Sequence, residues 1–294
     1  MNPSVAQWLG ALEWVMTQPG LLHGLPGGTD PIFCADDPRL LAMLTGARRD
    51  PTRLLELLSA PRSHKVGIAF EALVHFGIEQ GLGHTVLGRD VQIRAERRTV
   101  GALDVVLRTQ TGVEEHWELA YKLFLQCKPD LGWSSWLGPG ERDRLDTKVN
   151  RMRHHQIPLS ARDVASEALA GLGVNEPPAQ RAVLQGVLFS RWDQPVTRAT
   201  DARIDSAGRW VRQTEMARVL DAAPDSRWVR RHKPLWFGPW VGPAEAVVSA
   251  DAVRSQLIDA PLRRARLWSV WNGPSIADEQ LWFVVPERWG SRAR

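Results

Sequence analysis

The chain has 294 residues, a formal net charge of +4, and 44% hydrophobic and 24% charged residues. This composition excludes collagen, coiled-coil rods and intrinsic disorder. The sequence contains no apolar run of about 18 residues, so no membrane span is expected. Its two cysteines, Cys34 and Cys127, exclude a disulfide framework and a disulfide-linked partner. Reduced thiols and a start without a basic region predict a cytoplasmic protein.

The first 60 residues are predicted to be helical. Apolar residues indicate one helix over residues 5–16. Asp37 followed by Pro38 predicts a second helix, because aspartate caps helix N-termini and proline fits the first helical position. A third helical stretch is expected over residues 53–58. Together these elements define an N-terminal helical segment, residues 1–60.

Residues 61–192 carry the pattern of an α/β core. Apolar residues recur at helical spacing from Val66 to Phe76 and predict a helix over residues 63–81, ended by Gly81. Apolar patterns further along the chain predict three strands, two helices and a last strand. The expected bounds are strands at residues 86–94, 100–109 and 115–125, helices at 141–156 and 161–172, and a strand at 181–189.

The remaining residues, 193–294, predict a tryptophan-rich α+β extension packed on the core. Helices are expected at residues 211–220 and 250–258, and strands at 267–271 and 281–285. The chain contains neither a Walker A phosphate loop nor a G-x-S-x-G nucleophile elbow. Candidate catalytic residues are therefore the isolated charged side chains within the predicted apolar helices and strands.

The third core strand holds two charged residues where burial is expected. In H-W-E-L-A-Y-K-L-F-L, residues 116–125, one face of the strand is entirely apolar. The other face carries His116, Glu118, Ala120, Lys122 and Phe124. A strand this apolar is typical of the centre of a sheet.

The turn before this strand predicts which acid faces Glu118. If residues 110–112 form a three-residue hairpin loop with Gly112 in the left-handed conformation, Thr109 pairs with Val113. The same register places Asp104 directly opposite Glu118, with Cβ atoms about 5 Å apart. Like charges so placed repel unless one is protonated or a hard divalent cation lies between them. With a different register, both would be ordinary acids facing the sheet edge.

The helix before the strands contributes a third acid. Glu71 lies on the apolar stripe formed by Ile68, Val74 and Ile78. It is therefore either part of a buried acidic site or a boundary residue whose carboxylate reaches water.

A helix with a buried glutamate, then strands carrying aspartate and glutamate with a lysine on the same face, resembles the PD-(D/E)XK nuclease superfamily. Its α-β-β-β-α-β core would span residues 63–190. More narrowly, the chain resembles a bacterial family, domain-of-unknown-function family 1853. The matching stretches are G-x-A-F-E at 67–71, G-A-L-D at 101–104, W-E-L-A-Y-K-L-F-L at 117–125, W-L-G-P-G-E-R-D-R-L-D-T-K at 136–148, H-H-Q at 154–156 and V-V-P-E-R-W at 284–289.

The superfamily resemblance implies roles for these residues. Its acids bind Mg²⁺ or Mn²⁺, and its lysine orients or activates the attacking water. Asp104 and Glu118 would then be metal ligands, Glu71 an accessory ligand and Lys122 the catalytic lysine. The usual lysine position, two residues after the acid, is Ala120 here. Lys148 on the following helix and His116 are therefore alternatives for the role.

Two functions remain open from the sequence. One is a magnesium-dependent nuclease or phosphodiesterase acting on nucleic acid; the other is a catalytically inactive nuclease-like fold that binds nucleic acid or a protein partner. The net positive charge permits a polyanionic partner, although such a charge is also typical of an arginine-rich solvated surface. Residues expected to hold a phosphate backbone are Arg94, Arg97, Arg98, Arg142, Arg144, Lys148, Arg151 and Arg153.

Overall fold

The computed structural model describes residues 3–27, 30–59, 65–96, 98–128, 132–196, 199, 202, 207–258, 261–273, 275 and 278–291. Within these residues the fold is mixed α/β, with eight α-helices and ten β-strands. None of the described helices is long and apolar enough to cross a membrane. Cys34 and Cys127 are free thiols.

The chain divides into two compact units, each assembled from separate stretches of sequence. The first unit comprises Met1–Ala11, Lys122–Asp146 and Gly186–Arg294, and the second comprises Leu12–Tyr121 and Thr147–Gln185. The predicted segments 1–60, 61–192 and 193–294 stay a prediction.

The N-terminal helices form where the sequence predicts them. They are α1, Val5–Thr17; α2, Pro38–Arg49; and α3, Thr52–Leu58. The Asp37 side chain accepts a hydrogen bond from the Arg39 backbone N–H at 2.8 Å. The predicted cap of α2 is thereby confirmed, with Pro38 at its first helical position.

Helix α4, Val66–Phe76, continues into a π-helical turn, Gly77–Gly81, and thus ends at the predicted glycine. The first predicted residues of this helix, 63 and 64, lie outside the described part of the chain. Phe70, Leu73 and Phe76 are buried, which confirms the apolar face.

Three antiparallel strands of the predicted meander follow: β1, Thr85–Ala95; β2, Arg98–Arg108; and β3, Glu114–Gln126. In the hairpin between β2 and β3, the Thr109 N–H donates to the Val113 carbonyl at 2.8 Å, and Gly112 has φ +87°. Val105 pairs with Trp117. The predicted turn and register are therefore confirmed for this hairpin.

The helices after β3 are shorter than predicted. After β4, Trp136–Leu137, helix α5 covers only Leu145–Arg151 and passes into a π-helical turn, Met152–Gln156. A helix starting at residue 141 was the wrong prediction, because Glu141 adopts a left-handed φ of +59° and the Gly138 N–H donates to Asp143 O at 2.8 Å. These contacts close a turn before the helix begins.

The prediction of one continuous helix over residues 161–172 was also wrong. This stretch consists mainly of 3-10 turns, Ile157–Ala161 and Asp163–Ala165, before the short helix α6, Ser166–Ala170. Arg162 is extended, with φ −92° and ψ 145°, and so interrupts helical hydrogen bonding. Leu159, Ala165 and Leu169 nevertheless pack against apolar residues of β1 and β2, which fixes this segment on the sheet.

The last strands and helices in the sequence belong to the first unit. The strand β5, Ala179–Arg191, extends the strand predicted at residues 181–189, and it enters the first unit at Gly186. Its neighbours follow in the order β5-β6-β10-β9-β7-β8. Their bounds are β6, Gly208–Arg212; β7, Arg227–Arg231; β8, Val248–Ser249; β9, Arg266–Trp271; and β10, Gln280–Val285, with α7, Met216–Ala222, and α8, Ala250–Ile258.

The helix predicted at residues 211–220 is wrong at its start. Val211 and Arg212 belong to β6, where Val211 pairs with Val284 of β10, and the α-helix starts only at Met216. Short apolar runs do not distinguish strand from helix, and here the sheet neighbours decide. The sequence predicted α8, β9 and β10 correctly but did not indicate β7.

Candidate acidic site

Three acidic residues of the second unit form the candidate site: Glu71 on α4, Asp104 on β2 and Glu118 on β3. One step beyond the Val105–Trp117 pair, the register brings Asp104 opposite Glu118. The Leu119 N–H donates to Asp104 Oδ2 at 2.8 Å. The carboxyl groups of Asp104 and Glu118 are close enough to share a hydrogen bond when one of them is protonated.

Burial dominates the electrostatics of this acid pair. The Glu118 residue is 1% exposed, and burial followed by the charge of Asp104 raises its pKa to about 9. Burial also raises the pKa of Asp104, against the lowering effect of the hydrogen bond from Leu119. The pair therefore holds a proton at neutral pH, and the two carboxyl groups titrate together.

Glu71 responds to the same charges. Burial first, and then the charges of Asp104 and Asp90, raise the pKa of Glu71 to about 7. The charge of Lys148 opposes this increase. Glu71 is thus a half-buried acid in the electrostatic field of the pair, and its role as an accessory ligand stays a prediction.

A lysine and a glutamine connect helix α5 and its π-helical turn to Glu118. The Lys148 ammonium donates to Gln156 Oε1 at 3.0 Å, and Gln156 Nε2 donates to Glu118 Oε1. The positive charge of Lys148 also lowers the pKa values of Glu71, Asp104 and Glu118. Lys148, one of the alternatives from the sequence, is therefore electrostatically coupled to all three acids.

Sequence reasoning missed the role of Gln156. Its side chain reaches Glu118 from the π-helical turn Met152–Gln156, where the helix makes a wider turn than an α-helix. An α-helical extrapolation from Lys148 places Gln156 at the wrong angle around the helix axis. The only available signal was its presence in the H-H-Q stretch at residues 154–156.

His116 lies beside Glu118 on the same face of β3. Its Nδ1 is 3.0 Å from Ser160 Oγ, and its Nε2 is 3.8 Å from Glu118 Oε2. Burial lowers the pKa of His116 to about 4, so the imidazole is neutral. Within the described residues, neither His116 Nε2 nor Glu118 Oε2 has a hydrogen-bond partner.

Lys122, the lysine that the resemblance assigns to catalysis, has a carboxylate partner of its own. Its Nζ is 3.0 Å from Asp143 Oδ1, and its side chain is 29% exposed. The residue at the usual lysine position, Ala120, is buried. The catalytic role of Lys122 stays a prediction.

The arginines expected to contact nucleic acid differ in their surroundings. Arg94 on β1, Arg98 on β2 and Arg151 on α5 are exposed, and Arg97 lies outside the described residues. Arg142 is also exposed. Arg144 forms an ion pair with Asp146 at 2.6 Å, and Arg153 donates to the His23 carbonyl at 3.4 Å. Of the arginines expected to contact nucleic acid, Arg94, Arg98 and Arg151 are thus exposed cations of the second unit.

The donor atoms of the acid pair fit a hard divalent cation. In the part of the chain that the structure describes, no group of three or more His, Cys, Asp or Glu side chains could hold a metal ion. Mg²⁺ commonly binds through only one or two carboxylates and keeps several waters. The carboxylates of Asp104 and Glu118 supply such a set, and the buried Oε2 of Glu118 lacks a hydrogen bond.

The molecule is thus a mixed α/β protein whose second unit pairs a half-buried aspartate with a fully buried glutamate. The family model described as Domain of unknown function (DUF1853) matches residues 11–267. The chain therefore belongs to this family, and the narrower of the two sequence resemblances is confirmed. No curated protein and no solved structure matches the chain.

Proposed function

We propose that this protein is a magnesium- or manganese-dependent nuclease, or a related phosphodiesterase, with acids arranged as in the PD-(D/E)XK superfamily. One observation carries the proposal: the half-buried Asp104 lies opposite the fully buried Glu118, and burial raises both pKa values. Burying two carboxylates together is costly, because each loses its hydration and repels the other. A divalent cation in place of the shared proton offsets that cost.

In this proposal Asp104 and Glu118 hold the cation, and Glu71 is an accessory group. When bound, the metal ion polarises a phosphoryl oxygen and lowers the pKa of a water molecule that attacks phosphorus. The protein holds the two carboxylates in register through the β2–β3 hairpin. The Leu119 N–H further orients Asp104.

In this proposal Lys148 is the catalytic lysine. Its ammonium group is connected to Glu118 through Gln156, so its position is fixed relative to the acid pair. A cation held there stabilises negative charge that develops on a phosphoryl group. Exposed Arg94, Arg98 and Arg151 attract the phosphate backbone without reading its sequence.

Metal binding is expected to stabilise the folded protein through the acid pair. A saturating concentration of Mg²⁺ or Mn²⁺, about 100 times the dissociation constant, should raise the melting temperature on the order of 5 °C. Asp104→Asn should remove most of this shift. The same substitution should slightly stabilise the metal-free protein, because repulsion with Glu118 disappears. Differential scanning calorimetry with and without metal measures both effects.

The matched control for the metal experiment is Asp163→Asn, which changes an exposed acid of the same unit. This variant should respond to metal as the wild type does. Identical metal responses of wild type and Asp104→Asn would exclude Asp104 as a ligand.

A cleavage assay with three lysine variants tests the assignment of the lysine. Lys148→Met should reduce metal-dependent cleavage of single- or double-stranded DNA or RNA by at least about 100-fold. Nucleic-acid binding should change little, because attraction to phosphate is distributed over many arginines. Lys122→Met should retain cleavage, since Asp143 holds its ammonium group. The exposed Lys128→Met is the control for the loss of a positive charge.

The second candidate is a catalytically inactive nuclease-like protein that binds nucleic acid or a protein partner. It is favoured by Ala120 at the usual lysine position and by Gln156, which already donates to Glu118. In this case the wild type cleaves none of the four substrate types with either metal. Any nucleic-acid binding should weaken steeply with salt. Full cleavage by Lys148→Met but none by Lys122→Met would instead return the catalytic role to Lys122.

A further inference from the structure

The first unit contains a cavity of about 720 Å³ that the acidic site does not involve. A cavity of this size is typical of sites for small organic ligands. It lies where α7, α8 and the end of β10 meet the chain before β9. Its walls are formed by Gln213, Thr214, Ala217, Leu257, Pro261, Leu262, Arg263, Pro286, Glu287 and Arg288.

The apolar wall of this cavity is firmly supported. Leu257 is 0% exposed and Leu262 is 7% exposed, and both belong to the hydrophobic core cluster of the first unit. Pro286 is buried, and Ala217 is half-buried. Leu257, Leu262 and Pro286 therefore support the wall from beneath, and the apolar surface open to a ligand is that of Ala217 and Pro261.

Three polar side chains in the wall are engaged within the protein. The Gln213 amide donates to the Leu257 carbonyl, and its Oε1 accepts from the Leu262 N–H at 2.6 Å. The Thr214 hydroxyl donates to the Glu287 carboxylate. These hydrogen bonds hold the chain segments around the opening together. They also leave Gln213 and Thr214 less available for ligand recognition.

Two arginines at the cavity remain as donors. Arg263 and Arg288 are exposed, and neither side chain has a hydrogen-bond or ion-pair partner among the residues that the structure describes. Glu287, the one acid in the wall, is bound by Thr214. A guanidinium group binds carboxylate, sulfonate or phosphate oxygens with two parallel hydrogen bonds. The cavity therefore combines an apolar surface with two available sites for negative charge.

We propose that this cavity binds a small amphipathic anion, with an apolar or aromatic body against Ala217 and Pro261 and an anionic group at Arg263 and Arg288. The proposal is independent of the nuclease proposal, because all the residues that line the cavity belong to the first unit. The two arginines do not distinguish a carboxylate from a phosphate as the anionic group. Both bind either group through the same donors.

Fluorescence titration of the full chain with anilinonaphthalene sulfonate tests the proposal, because this probe joins an aromatic body to a sulfonate. Saturable binding with one molecule per chain is expected. The uncharged analogue N-phenylnaphthylamine should bind at least about tenfold more weakly, since it cannot pair with arginine. An unchanged circular dichroism spectrum and a melting temperature that does not fall when the probe is added establish that the probe binds the folded protein and not a loosened state.

Three variants locate the bound probe. The double variant with Arg263→Met and Arg288→Met should weaken binding at least about tenfold, and Ala217→Trp should abolish it by filling the cavity. Arg264→Met removes an exposed charge next to Arg263 but outside the cavity wall, and should bind as the wild type does. Equal binding by all folded variants, or no saturable binding by the wild type, would overturn the proposal.

Discussion

Glu118→Gln is expected to make the metal-free protein more stable at alkaline pH relative to the wild type. The pKa of Glu118 rises from an ordinary value of 4.5 to about 9 on folding, because the carboxyl group is buried next to Asp104. Its contribution to stability is therefore fully present below pH 4.5 and is lost as the pH rises through about 9. Glutamine has no proton to lose, so the variant does not suffer this loss.

The expected size of this effect is large. Between pH 5 and pH 8, the difference in unfolding free energy between Glu118→Gln and the wild type should change on the order of 3 kcal/mol in favour of the variant. Urea unfolding at both pH values measures it. The comparison of two proteins cancels the contributions of titrating groups that are distant from Glu118.

Glu167→Gln is the matched control, since Glu167 is exposed on α6 in the same unit. Its stability should follow that of the wild type over the same pH range. A Glu118→Gln variant that also follows the wild type at both pH values would show that Glu118 is ionised in the folded protein. Asp104 and Glu118 would then not share a proton at neutral pH.

Gly186→Ala is expected to destabilise the protein by at least about 3 kcal/mol or to prevent its folding. Gly186 lies on β5, and a Cβ atom at this position would overlap the carbonyl oxygen of Lys122 on β3. The same Cβ would lie 2.9 Å from the carbonyl carbon and 3.3 Å from the amide nitrogen of Lys122. These are backbone atoms, so the clash cannot be relieved by a change of rotamer.

Gly46→Ala provides a control of opposite sign. Gly46 lies inside α2, and a Cβ there has no atom within 4 Å. Alanine should stabilise the helix by about 0.5–1 kcal/mol, because it has less conformational freedom to lose on folding. Chemical unfolding monitored by circular dichroism compares both variants. A Gly186→Ala protein with wild-type stability would mean that β3 and β5 are not in close contact at this point.

Much of the fold around the acidic site follows from local sequence. The Asp37 cap, the end of the π-helical turn after α4 at Gly81 and the three strands of the meander depend on residues that are neighbours in the chain. The same is true of the β2–β3 register, because a short turn with Gly112 in a left-handed conformation fixes which residues face each other. The convergence of Asp104 and Glu118 could therefore be predicted from the hairpin alone.

Other parts of the fold depend on contacts that the sequence does not display. Val211 joins β6 because Val284 of β10 pairs with it, although its apolar neighbours suit a helix equally well. The start of α5 at Leu145 depends on the turn closed between Gly138 and Asp143. In both places, hydrogen bonds between neighbouring segments override local helical propensity.

The sequence by itself determined which acids would meet, because period-two alternation and a three-residue turn are local geometric constraints. Only the tertiary structure decided which other side chains reach them. The link from Lys148 through Gln156 to Glu118 joins residues on α5 and its π-helical turn to a residue on β3. Their approach depends on how the helix packs and on where its winding widens, and both are consequences of burial in the folded chain.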